Sequence, residues 1–286
     1  MRTMPAHSPK LGILAGGGFL PKAVIESCQK SDRPFHVIAF DGHTPPSLVE
    51  SLPHSWVRLG AAGQTVKILH DQGVKDLVMA GSIKRPSLFQ LRPDLWAFKF
   101  FMKTGARSKG DDGLLRNLIT ALEKNEGFNI IGAEQLVQHL LIEEGEQGLV
   151  SASPQDMDDI KMAIQAALKL GAADLGQAVV VRNGQIIAKE DKDGTDAMLL
   201  RLFKQAPQQR SGVLVKMPKP GQERRADLPA IGPETIINVE RAGLSGVALE
   251  TGGGFVLDRD KVIQLLNENT LFLRGIPPSA ITDKDN

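Results

Sequence analysis

Carboxylates gather in two loops in the second half of this sequence. The first is Asp193-Gly194-Thr195-Asp196, just after Glu190 and Asp191. The second is Arg225-Ala226-Asp227-Leu228-Pro229-Ala230-Ile231-Gly232. Each follows a β-branched stretch and leads into a helical pattern. Carboxylates at strand-to-helix turns suit a hard divalent cation, which takes oxygen ligands. Brought together, the two loops would make a Mg²⁺ site suited to phosphate chemistry. All six histidines (His7, His36, His43, His54, His70 and His139) precede residue 140, so these loops alone cannot build a histidine metal centre.

Other segments carry a functional reading beside a plain one. Gly16-Gly17-Gly18 follows an apolar strand pattern and precedes a helix, where successive glycines let backbone N–H groups approach a phosphate. The plain reading is a tight turn, and Pro21 breaks the Gly-x-Gly-x-x-Gly spacing. Lys84 and Arg85, just past a strand, are either phosphate ligands or solvated surface charges. Asp111 and Asp112 either cap the helix that follows or face a ligand. Asp174 and Gln177 either orient a sugar or water, or belong to a turn. Leu95-Trp96-Ala97-Phe98-Lys99-Phe100-Phe101-Met102 concentrates aromatics in a chain that is 5% aromatic and has no tyrosine. It reads as core, as a dimer interface, as a wall for acyl chains or as a membrane-facing patch. There is no His-Glu-x-x-His and no Gly-x-Ser-x-Gly elbow, which excludes those hydrolase types.

The elements that must position these residues alternate between strand and helix. In the first half, strands are expected at 11–15, 35–40, 56–60, 76–80 and 129–131. Helices are expected near 20–29, 65–72, 94–103, 113–124 and 133–140. This order implies a parallel sheet with helices on its faces. The acidic, glycine-bearing stretch 143–148 reads as a linker. Beyond it, 154–170 reads as a helix whose first turn carries Asp156, Asp158 and Asp159. Asn183-Gly184 marks a hairpin between 177–182 and 185–189. Helices follow at 196–204, 234–242 and 258–267, with strands at 213–217, 246–250 and 254–257. The expected division is an N-terminal Rossmann-like domain (1–143) and a C-terminal catalytic α/β domain (144–286), with a disordered tail from about 277.

Composition narrows the class. The chain has 286 residues, is 42% hydrophobic and carries a net charge of +1 without a basic tract. That argues against nucleic acid as a partner. Cys28, the single cysteine, excludes an internal disulfide. No apolar run approaches the roughly 18 residues of a membrane span. A cytoplasmic, soluble protein is expected, with peripheral contact at the inner-membrane face left open.

In order and spacing, several segments together resemble one family. They are Leu11–Pro21, Ala80–Pro86, Gly110–Arg116, Asp174–Val179, Gly194–Leu199 and Arg225–Gly232. The family is the UDP-2,3-diacylglucosamine pyrophosphatases of lipid A biosynthesis, in the two-domain form found in some Gram-negative bacteria. The resemblance implies Mg²⁺-dependent hydrolysis of an amphiphilic sugar nucleotide to 2,3-diacylglucosamine 1-phosphate (lipid X) and UMP. It also implies that substrate lies between the two domains. On that footing Asp227 is the first choice for metal ligand or water-activating base. Asp196 and Asp193 are further ligands, and Thr195 and Gln177 orient phosphate or water. Lys84 and Arg85 would add positive charge, and Arg225 would bind substrate. Gly16, Gly17, Gly18, Asp111 and Asp112 join the substrate-binding set. A homodimer is compatible with this reading.

Two other readings stay open on the sequence. A nicotinamide-dependent oxidoreductase would use the glycine-rich turn with Asp41 at the end of the second strand. A non-catalytic sugar-nucleotide or lipid-binding protein would bind tightly without turnover.

Overall fold

The computed structural model describes residues 8–83, 91–104, 111–204, 206–207 and 209–282. The chain divides into two compact units, Met1–Gln138 with Glu223–Ala226, and His139–Gln222 with Asp227–Asn286.

The first unit is built on five strands: β1 (Leu11–Ala15), β2 (Phe35–Phe40), β3 (His54–Val57), β4 (Asp76–Ala80) and β5 (Asn129–Ile130). All pairings are parallel, in the order β3-β2-β1-β4-β5. The strands are apolar along most of their length because helices cover both faces of such a sheet. The chain runs outward from β1 to β2 and β3, then returns to place β4 on the other side of β1. The crevice at the carboxyl ends of β1 and β4 is therefore the switch point where α/β sheets receive ligands. Ile38, Phe40, Leu77 and Ile130 pack against Val66 and Leu69 of the helix Ala62–Asp71 and against Ile119 and Leu122 of the helix Asp111–Lys124. The third strand lies two residues earlier than the sequence suggests. Beyond Val57 the chain crosses the segment at Leu91, where a Cβ on Gly60 would lie 1.7 Å from the Leu91 carbonyl oxygen.

The second unit holds a six-stranded sheet. Its strands are β6 (Gly145–Glu146), β7 (Ala178–Arg182), β8 (Gln185–Lys189), β9 (Val213–Lys216), β11 (Gly246–Glu250) and β13 (Phe272–Ile276). They lie in the order β6-β13-β11-β9-β7-β8. A separate parallel pair joins β10 (Ala230–Ile231) to β12 (Phe255–Val256). Successive strand residues point to opposite faces. Val179, Val181, Val213 and Val215 meet Ile160, Ala163 and Ala167 of the helix Pro154–Ala172. Ala178, Val180 and Leu214 meet Met198 and Leu199 of the helix Gly194–Phe203 and Ile236 and Val239 of the helix Pro233–Arg241.

Several sequence expectations are corrected here. The stretch read as a linker contains β6, an antiparallel edge strand whose Gly145 faces Gly275. Its brevity and acidity hide it, yet Glu146 is held by Arg274. The strand β13 has no counterpart in the sequence reading, although it completes the parallel core. The tail read as disordered begins with a helix, Pro278–Thr282, whose Ile281 packs on the core. The segment 133–140 is two pieces, the helix Ala133–Leu136 and a 3-10 turn at Gln138–Leu140. No helix among the described residues is long and apolar enough to cross a membrane.

Candidate active site

One end of the strands β7, β8 and β9 gathers polar residues. The strand register pairs Ala178 with Lys216 and Val179 with Lys189, so Gln177, Glu190 and Lys216 share that end. Alternation along β9 sends Leu214 toward the helices Gly194–Phe203 and Pro233–Arg241, and Lys216 points the same way. Lys216 is buried, and its Nζ donates to the Ala230 carbonyl oxygen at 3.0 Å. Burial pushes its ammonium below the ordinary lysine range, while the carboxylates of Glu190, Asp196 and Asp227 pull it back up. The two acidic loops thus contribute Asp196 and Asp227 to the field of one buried cation.

Each carboxylate has its own support. Glu190 accepts the Thr195 hydroxyl at 2.5 Å through Oε1 and the Gln177 backbone N–H at 2.7 Å through Oε2. Asp227 accepts from Gln222 Nε2 at 2.5 Å, and Asp196 from Asn238 Nδ2 at 3.3 Å. The side-chain oxygens Gln177 Oε1 and Asn238 Oδ1 are buried, with no hydrogen-bond partner among the described residues. Unpaired buried acceptors of this kind ask for a donor or a cation. Asp193 precedes the helix Gly194–Phe203, and its carboxylate is exposed beside Arg201 Nη1 at 3.5 Å. Arg201 also holds Asp191, whose carboxyl lies below its ordinary range chiefly because the Asp193 N–H donates to it. Among the described residues no group of three or more His, Cys, Asp or Glu is arranged to hold a metal ion.

Asp174 adopts a left-handed backbone conformation at φ 53° and pairs with Lys219 at 2.7 Å. Lys216, Gln222 and Asn238 were missed by sequence reasoning. Lys216 had a signal, since it interrupts Val213-Leu214-Val215 and Met217 at a position where alternation demands a buried side chain. The two amides had none.

In the first unit, the glycine-rich turn serves strand-end packing. Gly16 N–H donates to the Ala80 carbonyl at 2.8 Å, and Gly17 exchanges two hydrogen bonds with Ser82 at 2.8 and 2.9 Å. A Cβ on Gly16 would lie 2.4 Å from the Ser82 carbonyl oxygen. Two of the three glycines therefore spend their donors on the neighbouring strand end, which removes much of the nest a dinucleotide pyrophosphate would need. Gly18, at φ 90°, has open space where a side chain would stand. Lys84 and Arg85 lie outside the described residues. Asp111 opens the helix Asp111–Lys124, and Asp112 accepts from Arg116 at 2.8 Å and from the Glu223 N–H at 3.3 Å. Arg225 belongs to this unit. Its guanidinium donates twice to Glu223, both at 2.9 Å, and to Glu123 at 2.6 Å and the Ile130 carbonyl at 3.3 Å.

Together these features define a two-unit α/β protein. Its first sheet has a switch-point crevice, and its second sheet carries a carboxylate–amide–ammonium cluster at one end of its strands. The LpxI N-terminal domain matches residues 10–140 and the LpxI C-terminal domain matches residues 143–274. A protein of Caulobacter vibrioides, UDP-2,3-diacylglucosamine pyrophosphatase LpxI, is 39% identical over 276 residues, covering 94% of this chain and 98% of that one. The chain belongs to the LpxI family. Among solved structures, N5-carboxyaminoimidazole synthase from Aspergillus clavatus is 11% identical. It covers 65% of this chain and 41% of its own length at a TM-score of 0.24.

Proposed function

We propose that this chain hydrolyses the pyrophosphate of UDP-2,3-diacylglucosamine to 2,3-diacylglucosamine 1-phosphate and UMP, with Mg²⁺ as cofactor. The observation that carries this reading is the near full-length identity to the Caulobacter vibrioides pyrophosphatase. The cluster around Lys216 supports the chemistry. In the reaction a water oxygen bonds to one phosphorus while the bridging oxygen leaves with its electron pair on the other. Asp227, held by Gln222, is the group to take the water proton. Lys216 offsets charge that develops on the phosphoryl oxygens. Thr195 and Glu190 fix the start of the helix that carries Asp196.

The donor set suits Mg²⁺. Asp196 and Asp227 supply carboxylate oxygens, and Gln177 Oε1 and Asn238 Oδ1 supply unpaired amide oxygens. Mg²⁺ is commonly held by one or two carboxylates together with substrate phosphate, so a cage of three acids is not required. Bound there, the ion would neutralise pyrophosphate charge. Asp193 is the outlying member of the expected ligands, because Arg201 stands beside it. Among the expected first-unit residues, Gly18 has open space beside it for substrate.

The test is UMP release from UDP-2,3-diacylglucosamine with Mg²⁺ and with excess EDTA, comparing wild type with Asp227→Ala. Mg²⁺-dependent release that collapses in the variant is the expected result. Substrate binding without release would favour a binding protein and overturn the reading. Release that survives EDTA would remove the metal from it.

A further inference from the structure

The helix Leu95–Thr104 of the first unit has an apolar stripe that nothing in the described fold covers. Leu95, Phe98 and Met102 are spaced i, i+3 and i+7, which places them on one side of a helix. They are 68%, 54% and 72% exposed. The opposite side is anchored, with Ala97 and Phe100 buried and Trp96 stacked on Phe100. Three large apolar side chains on one rigid stripe form a patch of the kind that marks an interaction surface.

The charged side chains that line the neighbouring groove are of one sign. A groove of about 560 Å³ runs between this helix and the helix Asp111–Lys124, lined by Trp96, Lys99, Phe100, Lys103, Asn117 and Lys124 among others. No carboxylate among the described residues pairs with the three lysines. Asp94 and Glu126 are engaged by other groups, and Glu123 pairs with Arg225. Asp94 accepts from the backbone of Gly63 at 2.7 Å and Ala97 at 2.9 Å, and Glu126 accepts the Trp96 indole N–H at 2.6 Å. Asn117 Nδ2 is buried without a partner among the described residues, leaving a donor at the groove. An apolar stripe flanked by ammonium groups complements an anionic bilayer surface: the apolar side chains enter the acyl boundary and the lysines meet the phosphates. A protein partner would have to supply both a matching apolar surface and several carboxylates.

We propose that the helix Leu95–Thr104 and its lysine-lined groove dock this protein on an anionic lipid bilayer. Docking gives the chain access to a substrate whose two acyl chains keep it in the membrane. That purpose rests on the functional reading above, whereas the binding itself does not.

The experiment is co-sedimentation of the full chain with large unilamellar vesicles, without substrate. One set is pure phosphatidylcholine and the other contains a third phosphatidylglycerol. Binding is expected to the anionic vesicles and to weaken with salt. Lys99→Glu/Lys103→Glu should reduce it about tenfold or more, judged from roughly a factor of five per basic residue at such a surface, and Phe98→Ser/Met102→Ser should reduce it by removing the apolar side chains that enter the acyl boundary. Circular dichroism and thermal melting of the variants establish that they fold. Hydrolysis of detergent-dispersed substrate is measured separately, so a failed pyrophosphatase reading cannot be mistaken for failed docking. No binding to anionic vesicles, or binding that folded variants retain, overturns the proposal. So does a dimer by light scattering that the same variants dissociate while vesicles go unbound, since the stripe then meets a second copy.

Discussion

Lys216 Nζ donates to the Ala230 carbonyl oxygen at 3.0 Å, which ties the end of β9 to β10 beneath the carboxylates of Glu190, Asp196 and Asp227. One buried ammonium lies in the field of three acids from two segments, Glu190 and Asp196 from the first acidic loop region and Asp227 from the second. Lys216→Met removes the cation from the field of these acids. Losing a hydrogen bond from a charged donor costs about 1.5–3 kcal/mol. The expected outcome is a lower urea midpoint with an unchanged m-value, together with at least a hundredfold loss of UMP release. A variant that folded normally and hydrolysed at the wild-type rate would show that Lys216 is neither a structural nor a catalytic counter-charge.

Glu190 is a two-way acceptor, with the Thr195 hydroxyl on one oxygen and the Gln177 N–H on the other. Glu190→Gln turns one of those oxygens into an NH₂ donor facing another donor. An unsatisfied buried group of this kind costs about 1–3 kcal/mol. Thr195→Val removes the hydroxyl while keeping the branched shape, and Thr195→Ser keeps the hydroxyl. Turnover should fall in the first and be retained in the second, with thermal melts run in parallel to separate folding from positioning. Equal activity in the two would leave the hydroxyl without a role.

Much of the architecture was legible because the physics is local. The apolar, β-branched run that forms Ala178–Arg182 reads directly as a buried strand. The clearest case is Asn183-Gly184, whose φ values of 50° and 73° are what a primed hairpin turn requires. Less legible were contacts that close over long separations. Asp159 reads as a first-turn helix acid, yet it is buried and accepts the N–H groups of Asn183 at 2.9 Å and Gly184 at 2.7 Å. Arg225 reads as a substrate-binding residue, and its partners Glu123 and Ile130 come from far back in the sequence. Nothing in the composition of Glu223–Ala226 signals that these four residues belong with the first unit while Gln222 and Asp227 belong with the second. At the site, the two acidic loops were legible and the amides of Gln222 and Asn238 were not, since a supporting amide has no periodic signature.

Cys28 is 1% exposed, and burial pushes its thiol up to about 11 against the opposing pull of Arg33. The thiolate is the reactive form, so at pH 8 its population is roughly a hundredfold below that of an unperturbed thiol. Native protein should react with a disulfide reagent at pH 8 slowly, and one thiol per chain should appear when urea unfolds it. Rapid labelling under native conditions would place the helix Leu20–Lys30 in frequent local opening.

The Glu223–Arg225 pair yields a pH dependence of defined sign. The paired hydrogen bonds from Arg225 hold the Glu223 carboxyl below its ordinary value of 4.5, outweighing the effect of burial. A carboxylate whose folded value is depressed contributes stability that is full above the unfolded value and is lost as pH falls through the folded one. The stability difference between wild type and Glu223→Gln should therefore be constant near neutrality and shrink as pH drops below about 4.5. Arg225→Lys keeps the charge but loses the planar fork that grips both oxygens of Glu223 while also reaching Glu123. It should lower the melting temperature at pH 7 and move the acid transition to higher pH, because Glu223 then titrates nearer its ordinary value. Urea melts of the three proteins from pH 3 to pH 7 read both effects. A Glu223→Gln difference that grew on acidification would reverse the sign and show that Arg225 is not what holds Glu223 ionised.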